Sequence, residues 1–169
     1  MIIGDKGVLE FWKDMIETYN EDSKCDFCWN FFAPMTEKRL NIIRDITQED
    51  DCCVNVFLLR NKSQDFGSRL TYNHNYLTRT YKTETYEVLF LIPSKEGLNN
   101  YNELSGHSLE ESRYETIFKP LRDCISNHII TDICNHAPVT SWNGRYVYDY
   151  QDENFYGIRI NITQEYEEL

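Results

Sequence analysis

Two cysteines separated by two residues, Cys25 and Cys28, have the spacing of a metal or redox pair. A zinc site would need two further ligands, and the nearest cysteines along the chain are the adjacent Cys52 and Cys53. Adjacent cysteines rarely both reach one tetrahedral ion, and a single Cys-x-x-Cys lacks the second pair that makes a zinc motif specific. A thioredoxin-like role is disfavoured because no strand–helix–strand pattern surrounds the pair. We therefore expect buried, reduced thiols.

A second group of possible ligands follows later in the chain: Cys124, His128, Cys134 and His136. His128 falls on the apolar stripe of a predicted helix, so a core histidine is the favoured interpretation. The sequence contains no G-x-S-x-G nucleophile motif, phosphate-binding loop or dinucleotide-binding fingerprint. We therefore expect a protein that is not an enzyme and needs no cofactor or metal. An active site assembled from distant carboxylates and thiols stays as an alternative.

Charge and composition narrow the classes of protein further. The 169 residues carry a net charge of −11, which argues against binding nucleic acid through its phosphates. It does not argue against a position next to nucleic acid. No apolar run approaches the roughly 18 residues of a membrane-spanning helix. The opening MIIGDKG lacks a signal peptide's apolar segment, which predicts intracellular synthesis. The 12 tyrosines, nine phenylalanines and three tryptophans suggest contacts with partners.

The element that organises the chain is a long strand predicted over residues 79–93. Polar side chains, including Glu84, alternate through its first half, which we expect to be solvated. From Tyr86 onward both faces are apolar, which predicts a strand buried on both faces. A second apolar strand is predicted over residues 52–60.

The last strand shows the clearest alternation. Its apolar face holds Tyr156, Ile158, Ile160 and Ile162, and its polar face holds Arg159, Asn161, Thr163 and Glu165. We expect Ile160 to share a buried sheet face with Phe90 of the central strand. Arg159 should face solvent, so its removal should cost little stability.

Helical periodicity predicts amphipathic helices over residues 7–20 and 108–135, the second one kinked or restarted at Pro120. Residues 36–46 fit either a short helix or a strand, and we favour the helix. Asn-Gly at 143–144 predicts a hairpin turn. Strands grouped between helices indicate an α+β fold. We expect a mostly antiparallel sheet packed against both helices, in a single domain spanning residues 1–169.

The connection between the two apolar strands, residues 61–78, is polar but carries spaced apolar side chains. Connections of this length are usually functional or disordered. A mobile loop is one interpretation, and an extended loop or hairpin arm that docks on a neighbouring molecule is the other. We favour the arm, with Phe66, Leu70, Tyr72 and Tyr76 as candidate residues of an oligomer interface.

The order of elements resembles the tail-terminator and tail-completion proteins of double-stranded DNA bacteriophages. The resemblance extends from about residue 8 to residue 168. It rests on the N-terminal helix, strands ending in VFLLR and EVLFLIPSK, the helix containing Pro120, and the final strand FYGIRINITQEYEE. The Asn- and Tyr-rich composition is also similar to proteins of the short-tailed crAss-like phages.

The resemblance implies a structural virion protein without catalytic residues. Such proteins form rings at the head–tail junction or along the tail, contact portal, adaptor or tail proteins, and surround the DNA channel without binding DNA tightly. It also implies location in the neck or tail of the virion after synthesis in the host cytoplasm. Two alternatives stay open: a small acidic interaction module or inhibitor that mimics nucleic acid, and a zinc-binding or enzymatic domain that uses Cys25 and Cys28.

Overall fold

The structure, a computed structural model, describes residues 5–35, 53–70, 78–93, 118–150 and 155–168. The predicted helix over residues 36–46 lies outside these ranges, as do residues 108–117 at the predicted start of the second helix.

The strands of the described ranges form one five-stranded sheet in the order β1-β2-β3-β5-β4. β1 runs parallel to β2, and the other neighbouring pairs are antiparallel. Together with the helices described below, this sheet confirms the predicted α+β class, and the strand predicted over residues 79–93 lies at its centre. The strands are β1 (Cys28–Met35), β2 (Cys53–Leu70), β3 (Thr78–Pro93), β4 (Val139–Tyr150) and β5 (Phe155–Glu168).

The main core lies on the face of the sheet that packs against the helices. Phe90 of β3 and Ile160 of β5 are both buried there, as their alternation predicted. Burial of each large apolar side chain contributes about 1.5–3 kcal/mol relative to exposure in water. This face therefore supplies much of the stability that holds the strands in register.

The first helix, α1 (Asp5–Glu21), confirms the helix predicted over residues 7–20. Its apolar stripe recurs every three or four residues and faces the core. Trp12 Nε1 donates a hydrogen bond to Tyr86 Oη of β3 at 3.0 Å, which satisfies the indole N–H inside the core. The buried side chains of α1 are Val8, Trp12, Met15, Ile16 and Tyr19.

The second helical region joins α2 (Lys119–Cys124), a π-helical segment (Ile125–Ile129) and α3 (Ile130–His136), which we name together the long helix. Pro120 lies in the first turn of α2, where a helix tolerates the missing N–H of proline. His128 is exposed, so the prediction of a core histidine is wrong. The π-helical segment has more residues per turn than the assumed period of 3.6, which displaces His128 from the predicted stripe.

The hairpin turn predicted at residues 143–144 is also wrong, because β4 runs straight through this dipeptide. Asn143 lies opposite Asn161 of β5, and Gly144 lies opposite Ile160. The ladder with β5 pairs the backbone groups on one edge of β4, and this tertiary pairing overrides the local turn preference of Asn-Gly.

The opposite face of the sheet also has a buried centre. Arg159 Nη1 donates to Glu87 Oε2 at 2.6 Å, and the two side chains are only 12% and 7% exposed. The predicted register of Arg159 is correct, but the prediction that it faces solvent is wrong. Alternation reveals which face a residue occupies, whereas tertiary packing decides whether that face is covered. The apolar cluster on this face contains Phe57, Leu59, Leu89, Leu91 and Phe155.

Gly157 allows β5 to approach β3 closely. A Cβ atom at this position would lie 1.8 Å from the Phe90 carbonyl oxygen, far inside contact distance. Any side chain here would therefore force the two central strands apart.

Cys25 and Cys124 form a disulfide between residues separated by 99 positions in sequence. Cys28 is disulfide-bonded as well. The prediction of reduced thiols is therefore wrong for these three residues. Cys25 has a left-handed backbone conformation (φ 59°, ψ 19°) in the 3-10 turn after α1, and its sulfur meets the long helix. Cys134 is free and exposed.

Candidate functional site

Residues 61–70 of the predicted arm (61–78) continue β2, and residue 78 begins β3, whereas residues 71–77 lie outside the described ranges. The two strands stay paired to their ends, where Leu70 lies opposite Thr78. We name residues 63–70 and 78–85 the β-arm. Paired strands of this length hold their side chains in fixed positions, which a loop would not do.

A third strand lies beside nearly the whole length of the β-arm, and a buried ion pair stabilises its base. β5 pairs with β3 as far as Glu168 opposite Thr80. Arg60 binds the fully buried Glu84 through two contacts, Nε–Oε1 at 2.6 Å and Nη2–Oε2 at 2.9 Å. Gln64 Nε2 donates to the same carboxylate at 3.4 Å. The prediction that Glu84 is solvated is therefore wrong, since the ion pair allows its burial.

A buried hydrogen-bond network connects this base to the long helix. Tyr86 Oη donates to Gln164 Oε1 at 2.5 Å, and Tyr166 Oη donates to the same oxygen at 2.9 Å. Gln164 Nε2 donates to the carbonyl oxygens of Ile133 and Ala137 at the end of the long helix. Burial raises the pKa of Tyr86, so its hydroxyl stays protonated and donates. The network satisfies the carbonyl groups at a helix end and is structural.

Phe66 is the most exposed large apolar side chain of the described ranges, at 85% exposure. It lies opposite Lys82 of β3, which lies opposite Tyr166 of β5, so the three side chains share one face of the sheet. Tyr166 is buried in the main core and Lys82 is half-buried. Side-chain burial therefore decreases from Tyr166 through Lys82 to Phe66, and the β-arm exposes Phe66 to solvent.

The neighbouring position on the β-arm, Gly67, is covered by an aromatic ring. A Cβ atom on Gly67 would lie 2.9 Å from Tyr81 Oη, so the Tyr81 side chain occupies the space left by the missing one. An aromatic residue paired with a cross-strand glycine stabilises a glycine-containing strand. The β-arm thus has an aromatic-covered glycine on one face and an exposed phenylalanine on the other.

The other candidate interface residues are less completely placed. Leu70 is the last residue of β2. Tyr72 and Tyr76 lie outside the described residues. The structure therefore places Phe66 alone, with backbone and side chain, on an exposed surface of the β-arm.

The residues that the sequence offered as possible metal ligands do not converge. Cys124 is part of the disulfide, whereas His128 and Cys134 are exposed. His136 stacks on an aromatic ring of α1, with the ring centroids 4.0 Å apart. Within the described ranges, no group of three or more His, Cys, Asp or Glu side chains is arranged to hold a metal ion.

A groove of about 360 Å³ lies between the long helix and β4. Gly144 leaves a gap between Trp142 and Tyr146 along the strand, and Ile160 lies beneath that gap. Arg122 of the long helix lines the groove and donates from Nη1 to Tyr146 Oη at 3.0 Å. Sequence reasoning missed this groove because it treated residues 143–144 as a turn. The spacing Trp-x-Gly-x-Tyr would have revealed it only with β4 recognised as one strand.

No protein-family model matches this sequence, and no curated protein shows significant similarity to it. In the described part of the chain, no helix combines the length and apolar character needed to cross a membrane.

Proposed function

We propose that this chain is a structural virion protein that forms a ring at the head–tail junction or tail of a double-stranded DNA bacteriophage. The observation that carries the proposal is Phe66, 85% exposed on a braced β-arm. A fold with its own buried core gains nothing in water from an exposed phenylalanine. The same side chain docked on a neighbour would supply a desolvated aromatic anchor of the kind that dominates interface energies.

Assembly through the β-arm would produce a heterologous contact, because the arm of one copy meets a different surface of the next. Repeated heterologous contacts close into a ring when the rotation between copies permits it. Ring closure is therefore the expected consequence of docking. The resemblance in element order to tail-terminator proteins favours this outcome over an open filament.

The charge of the chain suits a ring that surrounds DNA. A net charge of −11 on each copy repels phosphates, so DNA would pass through the ring without binding tightly to it. Phage portal, adaptor or tail proteins would then form the layers above and below the ring.

The disulfide is compatible with a particle that leaves its host. Disulfides are rare in reducing cytosol and persist in oxidising surroundings. A protein synthesised in the host cytoplasm and then carried in a released virion would reach such surroundings. The Cys25–Cys124 bond would form or persist there.

The proposal is tested by measuring the native mass of the purified protein, with and without a change at Phe66. We expect the wild type to exceed its monomer mass of 20.2 kDa several-fold and to image as a ring with a central channel. Phe66→Ser should shift the mass towards the monomer, whereas the apolar control Phe66→Leu should retain assembly. Both variants should unfold within about 0.5 kcal/mol of the wild type, because the site is exposed.

A wild-type protein that stays monomeric at high concentration would overturn the proposal. The same charge of −11 would then favour the small acidic interaction module or inhibitor as the alternative. Binding to a basic, nucleic-acid-binding protein would be its direct test.

A further inference from the structure

We propose that the groove between the long helix and β4 receives Phe66 from the β-arm of a second copy. This inference rests on the proposed function, because it names the surface to which the arm docks. The two surfaces lie on different strands of the sheet. Phe66 lies on the β2 strand of the β-arm, whereas β4 lines the groove and has a single neighbour, β5, among the described strands.

The side-chain directions of the two surfaces match. Phe66 shares a face with Tyr166, and Gly144 shares a face with Ile160, both through directly opposed positions in the ladders. Tyr166 and Ile160 both belong to the core beneath the helices. An arm laid along β4 with the helix-bearing faces aligned therefore directs Phe66 towards the gap at Gly144.

The groove has the shape and chemistry that an aromatic ring requires. Gly144 contributes no side chain, and Trp142 and Tyr146 flank the gap on the same face of β4. Within the chain itself, Tyr81 already covers Gly67 across two strands. Phe66 over Gly144 would repeat this arrangement between copies, with aromatic neighbours on both sides.

Charge on the opposite face of the same strands is complementary. Asp65 precedes Phe66 and Arg145 follows Gly144, so both point away from the helix-bearing face. Both side chains are exposed. Arg145 lies opposite Arg159 of β5, whose guanidinium already pairs with Glu87. Asp65 of a second copy would bring a carboxylate to the exposed Arg145.

The first test places a photo-crosslinker where the ring should lie. Position 66 is changed to p-benzoylphenylalanine, and copies with and without heavy-isotope labels are mixed so that links between copies are distinguished. We expect crosslinks between copies in the segment 139–150. Assembly with crosslinks between copies on another surface would overturn this inference and leave the proposed function standing. A monomer without such crosslinks would overturn both.

The second test reverses the charges. Asp65→Arg alone and Arg145→Asp alone should each weaken association about tenfold, since each places like charges together across the interface. The double variant should recover to within about threefold of the wild type, because it restores an opposite pair. Additive losses in the double variant would contradict the pairing. Unchanged thermal unfolding of the purified variants shows that the fold is retained.

Discussion

The alternation of β5 predicts that removing Arg159 costs little stability, whereas its buried ion pair with Glu87 predicts a large loss. Their contact of 2.6 Å lies beneath the face of the sheet that carries no described helix. Arg159→Ala would remove the guanidinium from a carboxylate that is 7% exposed. We expect this change to lower the free energy of unfolding by about 3–5 kcal/mol, as is usual when one partner of a buried ion pair is removed. Urea denaturation at neutral pH measures it.

The matched control is Asn161→Ala, two residues along the same face of β5. Asn161 Nδ2 donates to Asn143 Oδ1 in a solvent-exposed hydrogen bond, so its loss should cost about 1 kcal/mol or less. Replacing both charged partners, with Arg159→Met and Glu87→Leu together, should recover most of the stability, because no buried charge is left. Equal effects of Arg159→Ala and Asn161→Ala would show that the ion pair is not buried in solution.

At the scale of elements, the contact between α1 and the end of the long helix should respond to pH. His136 stacks on Phe11, and its Nε2 atom is buried without a hydrogen-bond partner. Burial lowers the pKa of His136 below its ordinary value of about 6.5. The unfolded chain therefore takes up the proton first. The stabilising contribution is complete above about pH 6.5 and is lost as the pH falls through the lowered pKa of the folded state.

His136→Phe keeps the ring contact and removes the titration. We expect the wild type to lose stability relative to this variant as the pH falls below about 6.5, with no such divergence above it. His128→Gln changes an exposed residue of the same long helix. Its stability should fall relative to His136→Phe in the same way as that of the wild type. Thermal unfolding between pH 8 and 5 measures all three proteins. Parallel curves for wild type and His136→Phe would show that His136 is accessible to protons in the folded protein.

The elements that sequence periodicity predicted correctly are those with one apolar period over their whole length. α1 satisfies the helical period and β5 the strand period, and both appear within a few residues of their predicted ends. The prediction failed where tertiary contacts decide. Asn143 and Gly144 carry a turn signal that the β5 ladder overrides, and the π-helical segment shifts His128. Phe66 was noticed in the sequence because an aromatic side chain stands out in a polar segment, and its role in assembly stays a prediction.

At the scale of the whole molecule, a disulfide joins the region after α1 to the long helix. The disulfide closes a loop of about 100 residues. No local sequence pattern relates two cysteines so far apart. Sequence reasoning considered Cys25 with Cys28 for this reason and missed Cys124. Chain-entropy arguments assign a loop of this length about 4–5 kcal/mol, and removal of native disulfides typically costs about 2–5 kcal/mol.

Replacing both partners, with Cys25→Ser and Cys124→Ser together, should therefore lower the free energy of unfolding by about 3–5 kcal/mol. Cys134→Ser changes a free, exposed thiol and should stay within about 0.5 kcal/mol of the wild type. Alkylation of the denatured protein, followed by mass measurement, provides the chemical check. Without reductant, Cys134 should be modified while Cys25 and Cys124 stay protected, and reduction should expose both. Modification of Cys25 and Cys124 before reduction would mean that the two helical regions are held together by packing alone, and the double variant should then be nearly as stable as the wild type.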